Sequence, residues 1–311
     1  MATSSPSLGI EQTGEPHGAI PPARSTPAFD LEAYVARSRA VDLSAIAWNE
    51  VPRHPLSAET VRTLRYMQDI ESHTIIYLRS LLATRALDEP EVATFLACWV
   101  YEETFHGIAL ARFLEAAGYP LEPRARPHGR EPLSQRIEAA ATAMVSKAWP
   151  DFCAVHMTWG AINELTTLTG YRRLVAIARH PVLTDLLERI IIDESRHFFF
   201  YYRQAEIRLQ RPIVARTARL LVDRFWAPVG SGVQPQEELG FMARYLFSGP
   251  DGRMAARKVD DTIRRLPGFA SVKLLEAWMD THITDRPGVS GTQPGPRLGT
   301  PHGGHHGHGY H

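Results

Sequence analysis

Residues 102–107 read Glu102-Glu103-Thr104-Phe105-His106-Gly107, and residues 193–197 read Asp193-Glu194-Ser195-Arg196-His197. Each stretch contains Glu-x-x-His. In an α-helix, positions i and i+3 lie on one face, so the carboxylate and the imidazole of each pair project together. One such pair on a helix is a weak sign, more often a surface accident than a ligand set. Two pairs on separate long helices are a strong one, so the reading turns on the segments that carry them.

Those segments read as helices. The first Glu-x-x-His lies on an interior stripe of Val92, Phe95, Leu96, Trp99, Glu103, His106, Leu110 and Phe113, between Pro90 and the stop Gly118-Tyr119-Pro120. The second lies in a segment opened by Pro181 and running to about Leu209, before Pro212. Two further long helices are predicted. One spans Leu56 to Leu87, with Leu64, Met67, Ile70, Ile75, Leu78 and Leu82 recurring at helical steps and Ser57 as N-cap. The other runs from Asp151 to Arg179. A shorter helix is expected over 133–147, and others over 212–226, 235–247, 251–265 and 269–282. No strand alternation or solenoid repeat is present. Four helices of about 28–32 residues would be roughly 42–48 Å long, which suits an antiparallel bundle.

The two helices without a Glu-x-x-His each place one carboxylate on the interior stripe. Glu71 follows Met67 by four and precedes Ile75 by four, while Asp69 points elsewhere. Glu164 is the acidic residue in the centre of its helix, in line with Trp159-Gly160-Ala161, Thr167, Leu168 and Tyr171. Glu103 has the spacing to His106, whereas Glu102 is expected to face a flank. The resulting set is Glu71, Glu103, His106, Glu164, Glu194 and His197. Two Glu-x-x-His pairs plus one Glu from each remaining helix form the donor set of a di-iron or di-manganese carboxylate site. Four carboxylates and two neutral imidazoles balance two divalent or trivalent cations. Buried without metal, such carboxylates would be very costly.

Composition excludes other classes. Lys plus Arg and Asp plus Glu both number 34, so no basic field points to nucleic acid. No apolar run is long enough to span a bilayer, and neither a signal peptide nor a transit peptide is expected. The two cysteines, Cys98 and Cys153, form no CxxC pair, which excludes a disulfide scaffold, a zinc ribbon and a rubredoxin-type iron site. A reducing cytoplasm fits this usage. Residues 1–27 read as a disordered arm, 28–285 as one helical domain, and 286–311 as a flexible tail rich in His and Gly.

With these motifs in view, residues 60–210 resemble the soluble acyl-carrier-protein desaturases, among the ferritin-like di-iron oxidases. Glu102 to Gly107 is similar to that family's Glu-Glu-x-x-His-Gly, and Asp193 to His197 to its Asp-Glu-x-Arg-His. The resemblance implies an all-α fold, a ferritin-like four-helix bundle with additional C-terminal helices. It also implies two iron ions, with a manganese–iron pair as a variant, and dioxygen as co-substrate. It further implies a place for Thr167 beside the oxygen-binding side of the cluster, and a role for Asp193 in holding a His ligand. The chain is shorter than the plant enzymes, and its intervals between ligands differ from theirs.

The activity expected from this likeness is removal of hydrogen from an acyl chain, thioester-linked or carried by an acyl carrier protein. The electron donor would be a separate protein such as a ferredoxin, since the chain has no flavin or iron–sulfur motif. A homodimer is expected. Arg211, Arg216, Arg219 and Arg224 could meet an acidic carrier protein, but a solvated helix face is the preferred reading. The alternative activity is hydroxylation or N-oxygenation of a small aromatic or amine metabolite. N-oxygenases of this type carry an extra His where this chain has Ile190. Iron storage ranks third, because ferritins are shorter and the segments after Leu209 would have no role in a storage cage.

Overall fold

The computed structural model describes residues 28–81, 84–121, 149, 151–231 and 234–282. The expected helix over 133–147, the arm 1–27 and the tail 286–311 lie outside the described residues, as do the side chains of Ile75, Leu78 and Leu82. The fold is all-α. Among the described residues there is no strand, only an isolated bridge between Ser231 and Gln234.

The helices are α1 (Leu31–Arg37), α2 (Ala58–Leu81), α3 (Pro90–Ala116), α4 (Phe152–Ala178), α5 (Pro181–Arg208), α6 (Pro212–Phe225), α7 (Gln236–Phe247), α8 (Gly249–Ile263) and α9 (Leu275–His282). Short 3-10 turns cover Trp48–Arg53 and Arg85–Asp88. The four long helices α2 to α5 have 24, 27, 27 and 28 residues. They are a few residues shorter than the periodicity suggested.

Local chemistry sets their ends. Ser57 accepts the Thr60 N–H at 3.1 Å and so caps α2. Proline opens α3, α5 and α6, where a missing N–H costs nothing. Gly118, at φ 83°, lets the chain leave α3. Between α4 and α5 only Arg179 and His180 intervene. Arg179 takes the left-handed conformation at φ 49°, and His180 accepts the Leu183 N–H through Nδ1 at 3.1 Å. So short a link makes α4 and α5 antiparallel neighbours.

Helices α2 and α3 pack as one pair, α4 and α5 as another, and α3 also meets α5. Helix α4 is buried on nearly every side because α6, α7 and α8 pack on the face that α5 leaves open. Trp226 Nε1–H donates to Asn163 at 3.2 Å, and Arg173 donates to the Leu246 carbonyl at 2.9 Å. The C-terminal helices therefore form a layer over α4. Leu246 is buried in that layer, whereas Leu220 is 67 % exposed. The last helix starts at Leu275, later than the expected 269. Gly268, at φ 83°, turns the chain, and the buried Asp260 carboxylate then accepts the N–H groups of Leu274, Leu275 and Glu276.

The core is continuous along the four long helices. Phe95 of α3 stacks on Phe200 of α5 at 3.7 Å, and Tyr201 meets Phe95 edge-on. Gly160 of α4 sits directly beneath the Tyr201 ring, where an added Cβ would come within 2.3 Å of it. Gly160→Ala should therefore destabilise the fold by about 1–3 kcal/mol through overpacking. Urea unfolding checks this, and an unchanged midpoint would contradict the close packing of α4 on α5.

Candidate metal centre

Four long helices each send glutamate to one interior. Glu71 comes from α2, Glu103 from α3, Glu164 from α4 and Glu194 from α5, and all four are buried. His106 and His197 join them from the turn after Glu103 and Glu194, and both are fully buried. Two groups of converging ligand atoms result. Glu71, Glu103, His106 and Glu194 form one; Glu103, Glu164, Glu194 and His197 form the other. Within each group the atoms lie within 4.8 Å of one another. Glu103 and Glu194 belong to both, so they stand between the two positions. The six residues selected from sequence are thus together, and the two groups could each hold a metal ion.

Backbone packing brings them within reach. Gly107 follows His106, and a Cβ there would lie 2.8 Å from Ser72 Oγ and 3.4 Å from Glu71 Cβ. Glycine at this place allows α2 to approach α3 closely enough for Glu71 to reach the cluster.

Both imidazoles present Nδ1 to the interior. His106 Nδ1 is 3.2 Å from Glu194 and 3.5 Å from Glu103. His197 Nδ1 is 3.0 Å from Glu103. Each Nε2 faces outward to a carboxylate from the opposite motif. His106 Nε2 meets Asp193 at 3.2 Å, and His197 Nε2 meets Glu102 at 2.8 Å. The acidic residue before each ligand glutamate therefore braces the other motif's histidine. Arg196 donates to both Glu102, at 2.9 Å, and Asp193, and so ties the two braces together.

Glu102 corrects the sequence reading. It was expected on a flank but is 0 % exposed, because α1 crosses over it. Tyr34 of α1 donates its hydroxyl to Glu102 at 2.7 Å. Sequence reasoning missed both α1 and Tyr34. Helix α1 has only 7 residues, and its one trace is Asp30, whose side chain accepts the Ala33 N–H. Asp69 does point away from the cluster, as expected, but it is buried, hydrogen-bonded to Gln234. Thr167, one turn after Glu164, is half-buried. Ile190 is buried and apolar, so it adds no ligand atom.

Burial and close neighbours shift the titration of the cluster in opposite directions. Burial, with repulsion from Glu103 and Glu194, pushes the carboxyls of Glu71 and Glu164 well above the usual range. Burial also opposes ionisation of Glu103, yet the adjoining Glu71, His106 and His197 hold it well below that range. Burial disfavours charge on His106 and His197, but hydrogen bonds to carboxylates outweigh it and keep both imidazoles well above their ordinary value. Tyr171 donates to Glu71 at 2.5 Å.

The residues fit metal ions on an independent ground. Nδ1 of His106, Nδ1 of His197 and both carboxylate oxygens of Glu194 are buried without a hydrogen-bond partner. Unsatisfied buried polar atoms are rare and costly. Here they converge on one interior, and their oxygen and nitrogen chemistry suits iron or manganese. A cavity of about 470 Å³ lies elsewhere, lined by Ala28, Phe29, Glu89, Glu91, Arg203, Gln204, Ile207 and Arg208. Its lining includes none of the six.

A divalent ion entering this site must displace protons from raised imidazoles and carboxyls. Affinity therefore rises with pH as those groups give up protons. The gain in melting temperature from saturating Mn(II) should be larger at pH 8.5 than at pH 6.5, and proton release should accompany binding. At free ion 100-fold above Kd, the gain corresponds to about 2.7 kcal/mol per site. A gain that shrinks with rising pH would contradict the protonation pattern.

Comparison of the chain with models of protein families, with curated proteins and with solved structures found no match in any of the three. Among the described residues, no helix is long and apolar enough to cross a membrane.

Proposed function

We propose that this chain is a ferritin-like di-iron protein and an oxygen-dependent oxidoreductase that removes hydrogen from an acyl chain. The observation that carries the metal reading is the pair of four-residue groups sharing Glu103 and Glu194. Four long helices, each giving a glutamate and two giving Glu-x-x-His, match the carboxylate-bundle pattern. The likeness of Glu102–Gly107 and Asp193–His197 to the acyl-carrier-protein desaturases supports the choice of an acyl chain.

Glu71, Glu103, His106 and Glu194 would hold one ion, and Glu103, Glu164, Glu194 and His197 the other. His106 and His197 would bind through Nδ1. When bound, a pair of irons supplies reduction of dioxygen coupled to hydrogen removal. A manganese–iron pair uses the same donors. The protein's part is placement. Asp193 and Glu102 accept the Nε2 protons, which fixes each imidazole in the tautomer whose Nδ1 is a lone pair. The buried aromatic packing of Phe95, Phe200 and Tyr201 keeps water from one side of the site. Thr167 would stand near the reacting side, on the desaturase likeness.

Converting an acyl chain to its alkene removes two hydrogens. Reducing dioxygen to two waters then needs two more electrons and two protons. An external one-electron donor of the ferredoxin type is therefore part of the proposal. An N-oxygenase is disfavoured because buried Ile190 stands where that subfamily adds a ligand.

The test is anaerobic loading with ferrous iron, metal analysis, and then oxygen exposure with a chemical reductant and acyl thioesters. About two irons per chain, a near-ultraviolet band developing with oxygen, and product lighter by two hydrogens are expected. One iron or none in the folded chain would sink the di-iron reading. Two irons with no acyl product would sink the substrate assignment alone. His197→Ala and Glu103→Ala should each abolish turnover while leaving the helical circular dichroism largely intact. Turnover persisting in both would show that the ligands are wrongly assigned.

A further inference from the structure

The two groups of ligand atoms differ in what stands behind them. Behind His197, the Glu102 carboxylate is 0 % exposed and held by three donors. Its Oε2 accepts His197 Nε2 at 2.8 Å and the Tyr34 hydroxyl at 2.7 Å, and its Oε1 accepts Arg196 at 2.9 Å. Behind His106, Asp193 stands further off, at 3.2 Å, and its side chain is 13 % exposed.

We propose that the Glu103–Glu164–Glu194–His197 group is the tighter of two metal sites and fills first, and that Tyr34 is the positioning residue responsible. This rests on the reading of the cluster as a two-metal centre. A short hydrogen bond to a desolvated carboxylate raises the basicity of an imidazole and fixes its direction more than a longer one to a screened carboxylate. Arg196 serves both braces and so does not distinguish them. Tyr34 serves only one. Its hydroxyl draws some charge from Glu102, but without it Glu102 is free to swing from the 2.8 Å contact. The Tyr34 ring is itself held by Phe95 at 5.2 Å and Phe29 at 5.5 Å, and stands edge-on to the His197 ring at 6.4 Å.

A second, independent observation points the same way. Glu71, which belongs to the other group alone, accepts the Tyr171 hydroxyl at 2.5 Å. That donor competes for the oxygen charge an ion would use. Among the described residues no hydroxyl donates to Glu164, its counterpart. One site thus has a histidine brace held by Tyr34 and an uncompeted carboxylate, while the other has a longer brace without that hydroxyl and a carboxylate shared with Tyr171. The consequence is ordered loading, in which a segment outside the four long helices sets which position fills first.

The experiment is a titration of the full, metal-stripped chain with Co(II), followed by calorimetry and visible absorption. Two resolved steps are expected. Tyr34→Phe should weaken the first by about 10–100-fold, alter the Co(II) spectrum of the first ion, and leave the second step in place. Tyr171→Phe should leave the first step and shift the second. His106→Ala should keep the tight ion, and His197→Ala should lose it. Circular dichroism establishes that each variant is folded; should Tyr34→Phe not fold, Glu102→Gln is read instead and should also weaken the first step. Two ions binding in one unresolved step, a first step untouched by Tyr34→Phe, or loss of the tight ion in His106→Ala would overturn the inference and leave the two-metal reading standing. A folded chain that binds no Co(II) would overturn both.

Discussion

Burial of carboxylates is the constraint on which the rest of this structure depends. Glu71, Glu103, Glu164 and Glu194 sit inside a helical core together with Glu102. Removing such charges from water costs several kcal/mol each even after relaxation. Hydrogen bonds from Tyr34, Tyr171, Arg196 and His197 offset part of that cost. They do not offset all of it, since Nδ1 of both histidines and both oxygens of Glu194 remain without partners. The two groups of buried ligand atoms could each hold a cation, which would satisfy them.

That requirement reaches into the packing. Ligands from four helices can converge only if the helices approach closely, and the small residues lie where they must. Gly107 lets α2 close on α3 beside Glu71, and Gly160 lets α5 lay Tyr201 against α4. The layer of α6, α7 and α8 then covers the far side of α4, so Glu164 stays away from solvent. Helices α6 to α8 therefore serve the site through burial, and among the described residues neither group takes a ligand atom from them.

The convergence of the six candidate ligand residues was legible because each obeys a local rule. Glu103 and His106, like Glu194 and His197, share a face at helical spacing, and Glu71 and Glu164 interrupt apolar stripes. Glu102 was misjudged for a reason that periodicity cannot supply. A helical wheel identifies one buried stripe, but α3 is covered on a second side by α1 and α5, so the residue beside the stripe is buried too. Tyr34 was illegible because a helix of 7 residues shows barely two turns of pattern. Its importance comes from a partner 68 positions away. The late start of α9 depends likewise on Asp260, a contact no local window contains.

The cross-bracing gives the motif letters a meaning beyond ligand spacing. In each motif the ligand glutamate is preceded by an acidic residue, and that residue serves the other helix: Glu102 holds His197, and Asp193 holds His106. A histidine on α3 is therefore oriented by α5, and the reverse, so neither helix can shift along the other without turning a ligand. The position before each histidine breaks this symmetry. It is Arg196 in one motif and Phe105 in the other, and only Arg196 spans the two braces. Arg196 nevertheless serves both braces, so the asymmetry of the centre comes from α1, whose Tyr34 hydroxyl reaches Glu102.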